Sequence, residues 1–354
     1  MRFDYKPNFD DARRHWEAFW NGEIIDRPCC RVLAPKDNAK SYPRPPDIQS
    51  PKMDLKAHVE AFDRWASGIY FGGDAVPFFF PNFGPDIYAA FLGADLQGFD
   101  SDTGTSWAVP FVHDWSSVLH QLSYPHGYWW DSTLNYVSLA REIANGKFGV
   151  GVLDLHSNLD CLAAVRGSQN LCIDLVDCPD MIDEAMACVR RTYRLIYNEL
   201  YIASGQDKTG TSSWLPFYCE GKFACIQCDF ICMISPELAK RFLYPALEEE
   251  AEFLDRCCYH LDGPDALVHI DDILAIKQID AIQWVPGAGN APHIEWMDLL
   301  KHIQKAGKAL YVGASADEVK IYHKELRPEK VFYDVWVASQ AEAEELLDWL
   351  KSNT

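Results

Sequence analysis

Three short segments bring imidazole, carboxylate and amide groups together at spacings that can do chemistry. In Tyr259-His260-Leu261-Asp262-Gly263 an imidazole and a carboxylate stand two residues apart. On an extended chain residues i and i+2 share one side. His260 and Asp262 can then fill two positions around a metal, or pair a general acid with the group that orients it. Gly263 permits a sharp turn directly afterwards. A purely structural His–Asp hydrogen bond is the competing reading. The second segment carries Asp154, His156 and Asn158 away from one candidate strand end. It reads either as substrate contact and acid–base work centred on His156, or as Asp154 and Asn158 bonding to loop amides. The third runs from Tyr218-Cys219-Glu220-Gly221 to Cys225-Ile226-Gln227-Cys228-Asp229, which puts the Asp229 carboxylate in a strand-to-helix loop.

Cys225 and Cys228 form a C-x-x-C. A structural zinc site needs four ligands and usually a second cysteine pair, and the other pair here is the adjacent Cys257-Cys258. Small buried hydrophobes are the alternative role for these thiols. Gln283-Trp284 ends another candidate strand. One amide beside an indole suits an aromatic-walled pocket, and a core tryptophan is the alternative.

These groups need elements to position them. From about residue 148 onward, short apolar runs alternate with long amphipathic segments. Candidate strands are 148–153, 214–219, 257–261, 281–285, 309–312 and 331–333. Helices are expected over 179–203, from Ser235-Pro236-Glu237 to about 256, and over 292–306, 316–325 and 340–351. In the first of these, apolar residues recur every three or four positions. Ser235-Pro236-Glu237 combines a cap, a first-turn proline and an acid near the positive dipole end. Strand alternating with helix predicts an α/β fold with a parallel sheet, and the count suits a (β/α)₈ barrel. Such a barrel carries its chemistry at the C-terminal strand ends, where the three segments lie. The whole chain, 1–354, reads as one domain. Residues 1–110 supply a short helix over 9–19 and irregular covering loops, and 111–354 supply most of the barrel.

The bulk properties narrow the function. A net charge of −20 repels nucleic-acid phosphates and anionic lipid, so neither is an expected partner. No run approaches the roughly 18 apolar residues of a membrane span. Twelve cysteines in a large chain whose start, Met1-Arg2-Phe3-Asp4, lacks an apolar run imply free thiols and a cytoplasmic location. Neither G-x-G-x-x-G after a strand nor a P-loop occurs, so nucleotide binding has no motif.

Residues 214–349 resemble the uroporphyrinogen decarboxylase superfamily, which includes cobalamin- and corrinoid-dependent methyltransferases. The likeness is nearest to an uncharacterised corrinoid-protein-like branch. It is carried by Ser235-Pro236-Glu237 with Phe242 and Pro245, by His260-Leu261-Asp262-Gly263, and by Ile279-Asp280-Ala281-Ile282-Gln283-Trp284. Gly167, Leu171, Asp174, Leu175 and Pro179 extend it. The resemblance implies the barrel and a methyl transfer. In the family's methyltransferases a His-x-Cys and a later Cys hold zinc. His260 matches the first position. Asp262 stands at the second, a harder oxygen ligand, and no cysteine follows Cys258. Zinc would then recruit a thiolate such as Cys228. The decarboxylases carry an Arg-rich N-terminal motif, against which this chain offers Asp26-Arg27-Pro28.

The resemblance therefore implies a methyltransferase with His260, Asp262, Asp229 and His156 as catalytic groups. Zinc would sit on His260, Asp262 and Cys228, and a partner protein would supply a corrinoid. Asp154, Tyr218 and Gln283 would contact a small-molecule substrate between walls of Trp107, Trp214 and Trp284. Two other readings stay open. One is a cofactor-free decarboxylase in which Arg166 holds a carboxylate. The other is a non-catalytic corrinoid- or tetrapyrrole-binding protein.

Overall fold

The computed structural model describes residues 3–47, 50, 52–99 and 105–354. Met1, Arg2 and residues 100–104, which belong to the segments discussed above, lie outside it. The strands are β1 (Cys29–Pro35), β2 (Ile69–Gly73), β3 (Phe78–Phe79), β4 (Asp95–Gly98), β5 (Ser106–Val109), β6 (Gly149–Val150), β7 (Phe223–Gln227), β8 (Arg256–Asp262), β9 (Ala281–Val285), β10 (Ala309–Gly313) and β11 (Val331–Trp336). Six of them run parallel in the order β1-β11-β10-β9-β8-β7, and β2 adds antiparallel to β1. The fold is thus α/β with a mostly parallel central sheet. No described helix is long and apolar enough to cross a membrane.

Period-two alternation assigns each strand residue to a face. Along β8, Cys257, Tyr259 and Leu261 pack outward under the helices, and Cys258 packs inward. The helices Tyr244–Phe253, Met297–Lys305, Ala316–Glu325 and Gln340–Asn353 lie against β7, β10, β11 and β1 respectively. Inward residues at the strand starts, Cys29, Phe223, Cys258, Ala281, Ala309 and Phe332, form a separate cluster with Phe3 and with Phe9, Trp16 and Phe19 of the helix Phe9–Asn21. Trp16 Nε1 donates to the Asp74 carbonyl at 2.8 Å and fixes that helix. The N-terminal segment therefore seals the N-terminal strand ends. The polar residues are left to the other end.

Several expectations need correction. Among the described residues the hydrogen-bonded ladder does not close into a ring of eight strands: its edges are β2 and β7, and β3 with β6 forms a separate parallel pair. Residues 148–153 pair over only Gly149–Val150. Residues 214–219, with Pro216 inside, make one isolated bridge from Cys219 to Thr211 instead of a strand. The first 110 residues do more than cover, since β1 and β2 belong to the main sheet. The helix expected from 235 to 256 is two, Pro236–Phe242 and Tyr244–Phe253, broken where Pro245 cannot donate a backbone bond.

Backbone and side-chain hydrogen bonds span the gap in the ladder. Val152 N–H donates to the Ser212 carbonyl (2.8 Å), Asn158 Nδ2 to the Gln227 carbonyl (3.0 Å), and Gln227 Nε2 to Asp154 Oδ1 (2.6 Å). The polar network sits where backbone pairing is interrupted.

Candidate active site

Beyond the inner apolar layer the same face of the sheet turns polar. Gln227, His260, Gln283 and Tyr311 are register neighbours on β7, β8, β9 and β10. Arg31 on β1 pairs in register with Asp334 on β11. These six residues continue the inward series two positions beyond the apolar cluster, toward the C-terminal side of the parallel strands.

His260 and Asp262 share the inner face of β8, as their spacing requires. Asp229, just beyond β7, joins them. One donor atom from each of the three lies within 4.8 Å of the others. His260 Nδ1 faces Gln283 Oε1 at 2.6 Å, and the Trp214 ring meets the imidazole edge-on at 5.3 Å between centroids. Gly263, at φ +77°, turns the chain away after Asp262, and its N–H donates to the Val285 carbonyl. Desolvation and the Asp160 carboxylate push the Asp229 pKa up, while His156 and His260 pull it back.

His156 forms a second group with Asp160 and the same Asp229. Its Nε2 lies 3.2 Å from Asp154 Oδ2 and its Nδ1 3.5 Å from Asp160 Oδ2. Burial by itself would lower the imidazole pKa, but the carboxylates of Asp154, Asp160 and Asp229 outweigh it and raise the pKa to about 10. His156 is therefore an imidazolium at neutral pH. Asp154 Oδ1 also accepts from Trp214 Nε1 (3.1 Å), and Asp160 accepts from the amides of Asp229 (2.9 Å) and Phe230 (2.8 Å).

A cavity of about 440 Å³ opens beside this network, lined by Arg31, Phe78, Phe80, Asp154 and Trp214 among others. A second, also of about 440 Å³, is lined by His156, Asp160 and Asp229 among others.

Other expected site residues lie elsewhere. Cys228 follows an inward residue and so points outward; its Sγ lies 3.5 Å from Asp160 Oδ1, and burial holds the thiol well above its usual pKa. Asp229 therefore takes the position expected of Cys228. Cys225 and Cys228, three apart on extended chain, face opposite sides and cannot chelate together. Trp284 faces the helices, 4.9 Å from Trp296, on the opposite side of β9 from Gln283. Tyr218 is buried in the inner apolar cluster, edge-on to Phe9. Trp107 is 43% exposed on the ribbon of β4 and β5 and lines neither cavity. Arg166 is committed to Asp174 through two nitrogens and to the Val112 carbonyl.

Sequence reasoning missed Asp160, Arg31 and Asp334. The signal for Asp160 was its four-residue spacing from His156. For Arg31 it was the charge inside the apolar run of β1.

No protein-family model matches the sequence, and no curated protein matches it. Among solved structures the chain is similar to a methyltransferase from Methanosarcina mazei. The identity is 13%, the TM-score is 0.60, and 99% of each chain is covered. At that identity the likeness shows a shared fold.

Proposed function

We propose that this protein is an α/β methyltransferase that binds a divalent metal through His260, Asp262 and Asp229 and accepts its methyl group from a corrinoid-carrying partner protein. The observation that supports it most is the convergence of those three donors at the C-terminal ends of adjacent parallel strands. The fold, shared with a methyltransferase over nearly the whole chain, agrees with it.

The donor set fits zinc. One imidazole and two carboxylates leave a coordination position open, as catalytic zinc sites do. The set lacks a thiolate, so it is harder than a cysteine site. Bound there, the ion would supply Lewis acidity that lowers the pKa of an acceptor thiol.

The chain's own residues do the rest. Gln283 accepts from His260 Nδ1–H and leaves Nε2 as the ligand atom. Trp214 covers one edge of the imidazole and excludes water from it. The His156 imidazolium lies between Asp154 and Asp160 and offsets part of their negative charge. Cofactor-free decarboxylation placed the substrate carboxylate on Arg166, which is already bound to Asp174.

Metal content of anaerobically purified protein tests the reading. About one zinc per chain is expected. His260→Ala should lose it while keeping its circular dichroism spectrum. Zinc-loaded wild type should also demethylate methylcobalamin in the presence of a small thiol, seen as a change in visible absorbance. A folded wild type that takes up no zinc on dialysis sinks the proposal.

A further inference from the structure

We infer that the cavity lined by Trp214 and Asp154 receives a small molecule bearing a carboxylate, and that Arg31 is the residue that holds it. The inference rests on the functional reading above only in taking this cavity as the substrate's.

Among the described residues the charges on the cavity wall are Arg31, Arg44, Asp47 and Asp154. Asp154 accepts from Trp214 Nε1 and Gln227 Nε2, and its other oxygen lies 3.2 Å from His156 Nε2. Arg44 and Asp47 form an exposed pair at 2.7 Å, with the guanidinium 5.6 Å above the Trp65 ring. Exposed pairs of this kind contribute little. Arg31 differs. Its side chain is only 20% exposed, and one guanidinium nitrogen, Nη1, donates to Asp334 Oδ1. Among the described residues its Nε and Nη2 have no protein acceptor, although a guanidinium carries five donors.

Asp334 is itself shared. Its Oδ2 accepts from Tyr311 O–H at 2.8 Å, so only one carboxylate oxygen serves Arg31. Arg31 lines a cavity whose wall also holds the aromatic rings of Phe78, Phe80 and Trp214 and the polar side chains of Asn82, Ser212 and Ser213. A planar fork with two adjacent free nitrogens matches a carboxylate, which it binds bidentately. A cationic ligand would meet the guanidinium's charge, and a neutral apolar one would leave its donors unused. Arg31 also lies on the same inner face of the same sheet as His260, while Trp214 touches both the cavity and the His260 ring. The carboxylate end of the substrate would sit at β1, and its reacting end toward β8.

The test uses the full chain without added metal, so its outcome does not depend on zinc or on methyl transfer. The probes are 3-phenylpropionate and 3-phenyl-1-propanol, matched in length and differing in the acid. Binding is read by quenching of tryptophan fluorescence and by calorimetry. Wild type should prefer the acid by about tenfold, equivalent to about 1.4 kcal/mol. Arg31→Gln should erase that preference. Asp334→Asn removes the competing carboxylate and should keep or strengthen it, a sign that a merely structural pair would not produce. Should Arg31→Gln fold poorly, the double variant Arg31→Gln/Asp334→Asn removes both charges together and should also show no preference. The inference is overturned if wild type does not prefer the acid, including the case where neither probe binds. It is equally overturned if the preference survives loss of Arg31.

Discussion

Gln283 Oε1 accepts a hydrogen bond from His260 Nδ1 at 2.6 Å across the β8–β9 ladder, where the two residues are register partners. The amide oxygen fixes which imidazole nitrogen carries the proton and leaves the other free to act as a ligand. Partners of this kind typically account for 10–100-fold in metal affinity. Gln283→Leu should therefore weaken zinc binding by about 10- to 100-fold without unfolding the sheet. Competition with a chromogenic chelator measures it. An unchanged zinc affinity would mean that Gln283 does not orient the ligand.

His156 makes the opposite kind of prediction, because its carboxylate neighbours keep it charged. A raised imidazole pKa stabilises the fold fully below the unfolded value of about 6.5, and that stabilisation is lost as pH rises through about 10. In metal-free protein, NMR should show the His156 ring still protonated at pH 8. The stability difference between wild type and His156→Gln should shrink steadily from pH 7 to pH 10. A ring that titrates near 6.5 would remove the imidazolium from the site.

Much of this arrangement is legible in the sequence, and the misses share a cause. Period-two spacing puts His260 and Asp262 on one face, and the structure agrees. The same rule, applied across the end of β7, would have turned Cys228 outward and Asp229 inward. It would also have separated Gln283 from Trp284. What local spacing cannot show is which distant strand faces which. Arg31 is some 300 residues from Asp334 in sequence, and only the β1–β11 pairing brings them together. The His156 segment was harder still. Asn158 adopts a left-handed φ of +52° to start a helix, which swings Asp160 back toward His156.

Glu250 supports that turn from below and should register in stability. It is buried in the helix Tyr244–Phe253 and accepts from Ser157 Oγ (2.5 Å) and Asn158 Nδ2 (3.4 Å). Desolvation raises its pKa to about 8, although both hydrogen bonds oppose the rise. A raised carboxyl pKa stabilises the fold fully below the unfolded value and loses that stabilisation as pH rises through about 8. Wild type should lose thermal stability between pH 5 and pH 8.5. Glu250→Gln, which keeps the acceptor oxygen and removes the proton, should flatten that slope and match or exceed wild type at pH 8.5. Melting curves across this range decide it, and identical slopes for both proteins would refute a neutral Glu250.

The N-terminal strand ends hold a buried ion pair whose role is structural. Arg27 binds Asp74 through two nitrogens, at 2.5 and 2.9 Å, and Asp74 also accepts from the Cys30 amide at 2.8 Å. Both residues are buried. They lie beside the helix Phe9–Asn21, since the Asp74 carbonyl holds Trp16, and Arg27 lines neither cavity at the polar cluster. Removing one partner of such a pair leaves an uncompensated charge and costs about 3–5 kcal/mol. Arg27→Met should lower stability by that amount in urea unfolding, while zinc affinity of the folded fraction stays unchanged. Arg27→Met/Asp74→Leu removes both charges and should recover most of the loss, because a buried pair adds little over well-packed apolar groups. If the double variant is no more stable than the single one, the cost lies in packing at the helix and not in the stranded carboxylate.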